Sequence, residues 1–160
     1  MSLTINTTDN KNIVIDDIKP YYNIKLIMDL ISSNLEEEPI NENNTMFLTE
    51  DYEITLNSSY FILNKILDYA KHMYIIKDLN TTEQDMYNYI NDYLDCKNDI
   101  ICELLNTSDY LQYDILVDVI CEKIADDIQK CDSIETLKKK FNIKNIISEE
   151  EERELIKNIQ

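Results

Sequence analysis

The spacing of apolar residues changes along the chain. Leu3-Thr-Ile-Asn-Thr7 alternates apolar and polar positions, the two-residue period of a half-buried strand. Asp9 to Asn12 then reads as a turn and Ile13-Val-Ile15 as a second β-branched run, so residues 3–15 predict a hairpin. Asparagine can accept the positive φ that glycine would usually supply there. Over residues 23–34 the period lengthens to a helical one, with Ile24, Ile27, Met28 and Ile31 on one face. Glu36 to Asn44 is acidic, polar and interrupted by Pro39, which predicts a solvated loop. Met46 to Thr49 is a short strand candidate. Ser58 or Ser59 is placed to cap a helix to about residue 73, with Ile62, Ile66, Tyr69 and Met73 on its stripe. The first half thus reads strand–strand–helix–strand–helix.

The second half reads as helices only. Thr82 opens a capping-box-like Thr-x-x-Asp85, and Met86, Tyr89, Ile90, Tyr93 and Leu94 follow at helical spacing. Asp99 is placed to cap a short helix carrying Ile101, Leu104 and Leu105. From Asp114 onward, Val117, Cys121, Ile124 and Ile128 recur every three or four residues. Ser133 starts another helix with Ile134, Leu137 and Phe141 in register. Ser148-x-x-Glu151 is a further capping box, whose Glu149 to Glu152 lie where the macrodipole favours anions, ahead of Leu155, Ile156 and Ile159.

Composition narrows the function classes. The 160 residues suit one domain, or two small lobes with a shared core. Asp and Glu number 32 against 15 Lys and Arg, for a formal net charge of −17, which repels phosphate backbones and makes nucleic acid a poor partner. There is no glycine, which excludes the standard dinucleotide fingerprint, P-loop and nucleophile elbow. His72 is the sole histidine, so two-histidine metal sites and most histidine-dependent triads go with it. Cys96, Cys102, Cys121 and Cys131 form no C-x-x-C pair and are expected to be buried free thiols in a reducing compartment. No signal peptide is visible, and no apolar run approaches the ~18 residues of a membrane span. Sequons such as Asn6-Thr-Thr8 are read as accidents of an Asn-rich chain. The Ile and Asn richness suits an AT-rich coding sequence, as in a protist or a large virus.

No catalytic or metal site stands out. Carboxylate pairs have no specificity among so many acids, and His72 beside Tyr69 and Met73 reads as an ordinary helix residue. Asp95-x-Lys97-x-Asp99 resembles the start of a calcium loop but lacks its sixth-position glycine and twelfth-position glutamate. The informative feature is an excess of apolar stripes in the second half: Val117, Cys121, Ile124, Ile128, Leu137, Phe141 and Ile143. They either pack on the first half or form a groove that receives a partner helix.

Several segments resemble a known family. Phe141-Asn-Ile-Lys-Asn145 followed by Ile-Ile-Ser-Glu-Glu-Glu-Glu152 is very similar to the tail of the S-phase-kinase-associated protein (Skp) family. Those proteins are adaptors of Skp–cullin–F-box ubiquitin ligases. Glu103 to Leu111 resembles the family's E-L-I-L-A-A-N-Y-L, Leu116 to Ala125 its L-L-D-V-T-C-K-T-V-A, and Ser133 to Leu137 stands where the family has T-P-E-E-I. The match is dense over 102–152, and the element order over 1–73 fits the family's BTB/POZ fold.

The resemblance implies an α+β chain: a BTB/POZ fold, with a small three-stranded sheet and helices, followed by C-terminal F-box-binding helices. The boundaries it implies are 1–112, with an acidic loop at 36–45 and a linker near 75–83, and 113–160. It implies a non-catalytic adaptor without cofactors, acting in the cytoplasm or nucleus; for a viral protein, that is the host cytoplasm. F-box proteins and a cullin are the implied partners, with weak self-association when neither is bound and no membrane partner. The implied F-box contacts are Cys102, Val117, Cys121, Ile124, Ile128, Leu137, Phe141 and Ile143, and the implied cullin contacts are Asp109 and Tyr110. Asp109 replaces the family's Asn and Cys102 its Phe, and the family's terminal W-C-E-E-K is missing before Gln160. An acceptor-only anion in place of an amide motivates an alternative, an F-box-binding competitor that engages no cullin. Another BTB-fold adaptor of the elongin C kind is a third reading, against which residues 133–160 argue.

Overall fold

The computed structural model describes residues 2–33, 51–77 and 81–143. Leu3–Asn6 (β1) and Asn12–Ile15 (β2) form the expected antiparallel hairpin, with Leu3 opposite Ile15 and Asn6 opposite Asn12. Its turn is closed by the Thr7 N–H donating to the Lys11 carbonyl at 2.9 Å, and Asn10 takes the positive φ, 57°. Tyr52–Thr55 (β3) pairs parallel to the other side of β1, giving the order β2–β1–β3. Leu3, Ile5, Tyr52 and Ile54 point to the buried face, while Glu53 and Thr55 are exposed.

The strand expected at Met46–Thr49 lies outside the described residues. The described third strand was not anticipated, because Asp51 and Glu53 mask the Tyr52, Ile54, Leu56 alternation with residues that strands disfavour.

Helix α1 spans Lys25–Ser32 and buries Ile27, Met28 and Ile31, with Ile24 buried just before it. Pro20 opens a short 3₁₀ turn, Lys19–Tyr21, that leads into it. Helix α2, Tyr60–Lys77, is the central element, with Ile62, Leu63, Ile66, Leu67, Tyr69 and Ala70 all buried. It outruns the expected end near residue 73, so positions 75–77 of the expected linker are helical. Its capping also differs from expectation. Asp9, in the hairpin turn, accepts the Tyr60 N–H at 2.8 Å, whereas the Ser58 and Ser59 hydroxyls donate to the Ser59 carbonyl and to Glu103. The hydrogen bonds from Thr7 and then Tyr60 hold the Asp9 carboxyl down at about 2.

Helix α3, Glu83–Leu94, begins as predicted, with the Thr82 hydroxyl accepting the Asp85 N–H at 3.1 Å. A reciprocal pair locks it to α2: the Tyr93 hydroxyl donates to the Lys65 carbonyl at 3.0 Å, and Lys65 Nζ donates to the Tyr93 carbonyl at 2.8 Å. The fully buried Tyr69 ring lies between Tyr89, Tyr93 and Tyr113, and burial raises the Tyr69 hydroxyl to about 12. Helix α4 spans Asn98–Tyr110 and packs on α2. Asp99 is not its cap. Lys97 holds that position without a side-chain bond, and Asp99 sits in the first turn, where its charge still suits the macrodipole. Helix α5 spans Asp114–Gln129 and α6 Ile134–Lys140, the latter capped by Ser133 as predicted. The Ser148 capping box and Leu155, Ile156 and Ile159 lie outside the described residues.

The chain divides into two compact units, Met1–Lys123 and Ile124–Gln160, the division falling within α5. The first holds the sheet, α1 to α4 and, among the described residues, every fully buried apolar side chain, ending with Leu111, Tyr113, Leu116 and Ile120. In the second unit, no described apolar residue is fully buried.

Candidate partner-binding surfaces

Helix α5 carries two apolar stripes. Leu116 and Ile120 are fully buried in the first unit. Val117, Cys121, Ile124 and Ile128 fall at i, i+4, i+7 and i+11, one face about a quarter-turn away. None of that second face is buried: Val117 and Ile124 are half-buried, Cys121 is exposed, and Ile128 is 44% exposed. Exposing aliphatic side chains forgoes ~1.5–3 kcal/mol each relative to full burial, which a helix tolerates where a partner covers the face.

In the second unit, α6 ends in a Schellman cap. Ile143 N–H donates to the Lys138 carbonyl at 2.9 Å, Asn142 N–H reaches the Lys139 carbonyl at 3.4 Å, and Asn142 adopts φ 52°. This gives the Phe-Asn-Ile segment a physical reason. The asparagine makes the left-handed turn that a glycine would make elsewhere, leaving Phe141 half-buried and Ile143 48% exposed on either side. Leu137 is half-buried, and Ile134, read from the spacing as in register with it, is 58% exposed. Asp127 is the one buried side chain among the described residues of this unit; it pairs with Lys140 Nζ at 3.1 Å, and its carbonyl accepts the Cys131 thiol at 3.2 Å. Ile134 was not among the expected contacts. Its exposure could not be told from its periodicity, which is the same for a core position.

The second expected surface is the end of α4. It terminates in the same cap, with Tyr113 N–H on the Ser108 carbonyl and Gln112 N–H on the Asp109 carbonyl, both at 2.9 Å, and Gln112 at φ 54°. Asp109 and Tyr110 occupy the last turn before it and are both exposed. The Tyr110 hydroxyl lies 3.5 Å from the Asn57 N–H it accepts, tying this turn to the end of β3. Asp109 places an anion at the negative end of the helix dipole. Cys102, an expected F-box contact, is exposed on α4 one turn before Asn106.

The cysteines correct an expectation. Cys102 and Cys121 are exposed, and Cys96 and Cys131 are half-buried, so none of the four thiols is a core residue. For Cys121 the reason is its place on the uncovered stripe of α5. His72 is half-buried and stacks on Tyr89, with ring centroids 3.6 Å apart. Among the described residues no three His, Cys, Asp or Glu side chains are grouped to hold a metal, and no helix is long and apolar enough to cross a membrane.

A family model described as "Skp1 family, dimerisation domain" matches residues 115–160, which takes in the uncovered stripe of α5 and all of α6. The chain is similar to SKP1-like protein 11 of Arabidopsis thaliana, 31% identical over 99 residues, covering 62% of this chain and 64% of the relative. It is 30% identical over 99 residues to SKP1-like protein 12 of the same plant, with the same coverage. SKP1-like protein 10 is 26% identical over 91 residues, or 57% of this chain and 59% of that one. The chain thus spans less than two thirds of the length of each of these relatives.

Proposed function

From a chain whose residues 115–160 match the Skp1 family and whose relatives are SKP1-like proteins, we propose a non-catalytic adaptor that joins F-box substrate receptors to a cullin in a Skp–cullin–F-box type ubiquitin ligase. One observation carries the reading. The described part of the second unit buries none of its apolar side chains fully, and the second stripe of α5 stands uncovered beside a buried one. An F-box helix is the occupant for which that face is proposed, through Val117, Cys121, Ile124 and Ile128, with Leu137, Phe141 and Ile143 from the second unit and Cys102 from α4. The adaptor then works by proximity, raising the effective concentration of substrate near the conjugating enzyme. An intracellular, reducing setting fits four thiols that form no disulfide, two of them exposed.

The test is calorimetric titration of the full chain with an F-box segment. Ile124→Asp puts an unpaired charge into the proposed interface and is expected to weaken binding about a hundredfold, the ~3 kcal/mol such a charge costs. Native circular dichroism with unchanged affinity would show the face to be wrong.

Asp109 favours a second reading, in which the chain binds F-box proteins and no cullin, as a competitor. It is exposed at the position proposed to face the cullin, and it offers only acceptors. Gel filtration of the chain with an F-box segment and a cullin N-terminal fragment separates the two. A ternary complex supports the adaptor; a binary complex that becomes ternary only with Asp109→Asn supports the competitor.

A further inference from the structure

Two clefts open on the first unit beside α2 and α3. One, of about 590 Å³, is lined by His72 and Ile76 of α2 and by Asp85, Met86, Tyr89 and Asp92 of α3. The other, of about 370 Å³, shares Ile76 and Met86 with it and adds Met73 and Tyr74. Ile76 and Met86 line both, so the first cleft, which carries the carboxylates, adjoins the second, which is mostly apolar; taken together, the two are one depression with an acidic end and an apolar end.

At the acidic end, His72 and Tyr89 stack with their planes 19° apart. Asp85 and Asp92 stand four residues before and three after Tyr89, so the helical repeat sets both carboxylates on the same side of α3 as that ring. Aromatic faces bracketed by carboxylates suit a guanidinium. Its plane stacks on rings, and its fork of N–H donors matches carboxylate oxygens, whereas an ammonium is a point charge without that plane. The net charge of −17 adds attraction for any cationic segment. At the apolar end, Met73 and Met86 supply adaptable thioethers that conform to different aliphatic shapes.

We propose that this depression docks a partner segment carrying an arginine next to a bulky aliphatic side chain. The guanidinium sits between Asp85 and Asp92 against the His72–Tyr89 pair, and the aliphatic neighbour fills the cleft at Met73, Ile76 and Met86. The surface shares no residue with those assigned to the F-box or the cullin, so it stands or falls apart from them.

The probes are acetylated, amidated dipeptides titrated into the ¹⁵N-labelled full chain: Leu-Arg, Leu-Glu and Ala-Arg. Leu-Arg is expected to shift the Asp85, Tyr89 and Asp92 amides saturably. Ala-Arg is expected to bind at least threefold more weakly, and Leu-Glu not to bind. Asp92→Asn is expected to weaken Leu-Arg at least fivefold; Asp92 is chosen because Asp85 also serves the Thr82 cap. Equal binding of Leu-Arg and Leu-Glu, equal binding of Leu-Arg and Ala-Arg, shifts centred on another surface, or an affinity unchanged in a folded Asp92→Asn chain would each overturn the proposal. The peptide comparisons decide the matter even if that variant fails to fold.

Discussion

Gln112 holds φ 54° with a side chain ill suited to it. The left-handed conformation crowds Cβ against the following carbonyl and costs roughly 1–2 kcal/mol for residues other than glycine, asparagine and aspartate. Asn10 and Asn142, the other two described residues with positive φ, are asparagines. Gln112→Gly is therefore expected to stabilise the chain by about 0.5–1 kcal/mol, after glycine's own entropic cost. Urea unfolding measures it, and a neutral or destabilising result would mean that the Gln112 side chain makes compensating contacts. Asp9 is the other residue with an outsized role, since it joins the hairpin turn to the start of α2. Its folded-state carboxyl sits at about 2 against an ordinary 3.8, so the stability it contributes is complete above about pH 4 and fades as pH falls towards 2. Asp9→Asn is expected to be less stable than the parent at neutral pH and to converge with it near pH 2. A parallel offset at every pH would assign the loss to packing. No spacing rule could have found this bond, because Asp9 and Tyr60 are 51 positions apart.

At the scale of elements, legibility followed amphipathicity and local capping. The α1 face, the Thr82 and Ser133 caps and the hairpin all rest on residues within a turn or two of one another, and periodicity shows them directly. Strand β3 was hidden because only four residues pair and one of them is a glutamate. The Val117, Cys121, Ile124, Ile128 stripe of α5 shows in the spacing, but not that the first unit buries Leu116 and Ile120 beside it, since Leu116 and Val117 are equally apolar. Capping also sets a prediction for α4. Asp109 lies in its last turn, where an anion opposes the dipole, so Asp109→Asn is expected to raise stability by about 0.3–1 kcal/mol at low ionic strength. The gain should shrink in high salt, and a gain indifferent to salt would point to a cause other than charge.

At the scale of the whole molecule, a well-built core and an uncovered face coexist. The first unit buries apolar side chains of its sheet and of α1, α2 and α4, while the described second unit leaves its apolar positions half-buried or exposed. The Skp-family resemblance, carried chiefly by residues 102–152, begins in the first unit's core, at Leu104, Leu111, Leu116 and Ile120, and runs on into the described residues of the second unit, none of whose apolar side chains is fully buried. A ligand that binds only the folded chain stabilises it by mass action, by ~2.7 kcal/mol at a hundredfold excess over Kd. For a chain of this length each kcal/mol is worth about 2–4 °C, so an F-box segment at that excess is expected to raise the melting temperature by roughly 5–10 °C. The same excess should give little or no shift with Ile124→Asp, whose own melting temperature should lie close to the parent's because Ile124 is not buried. A large fall in the unliganded variant would place Ile124 in an internal contact and move the proposed interface elsewhere on α5.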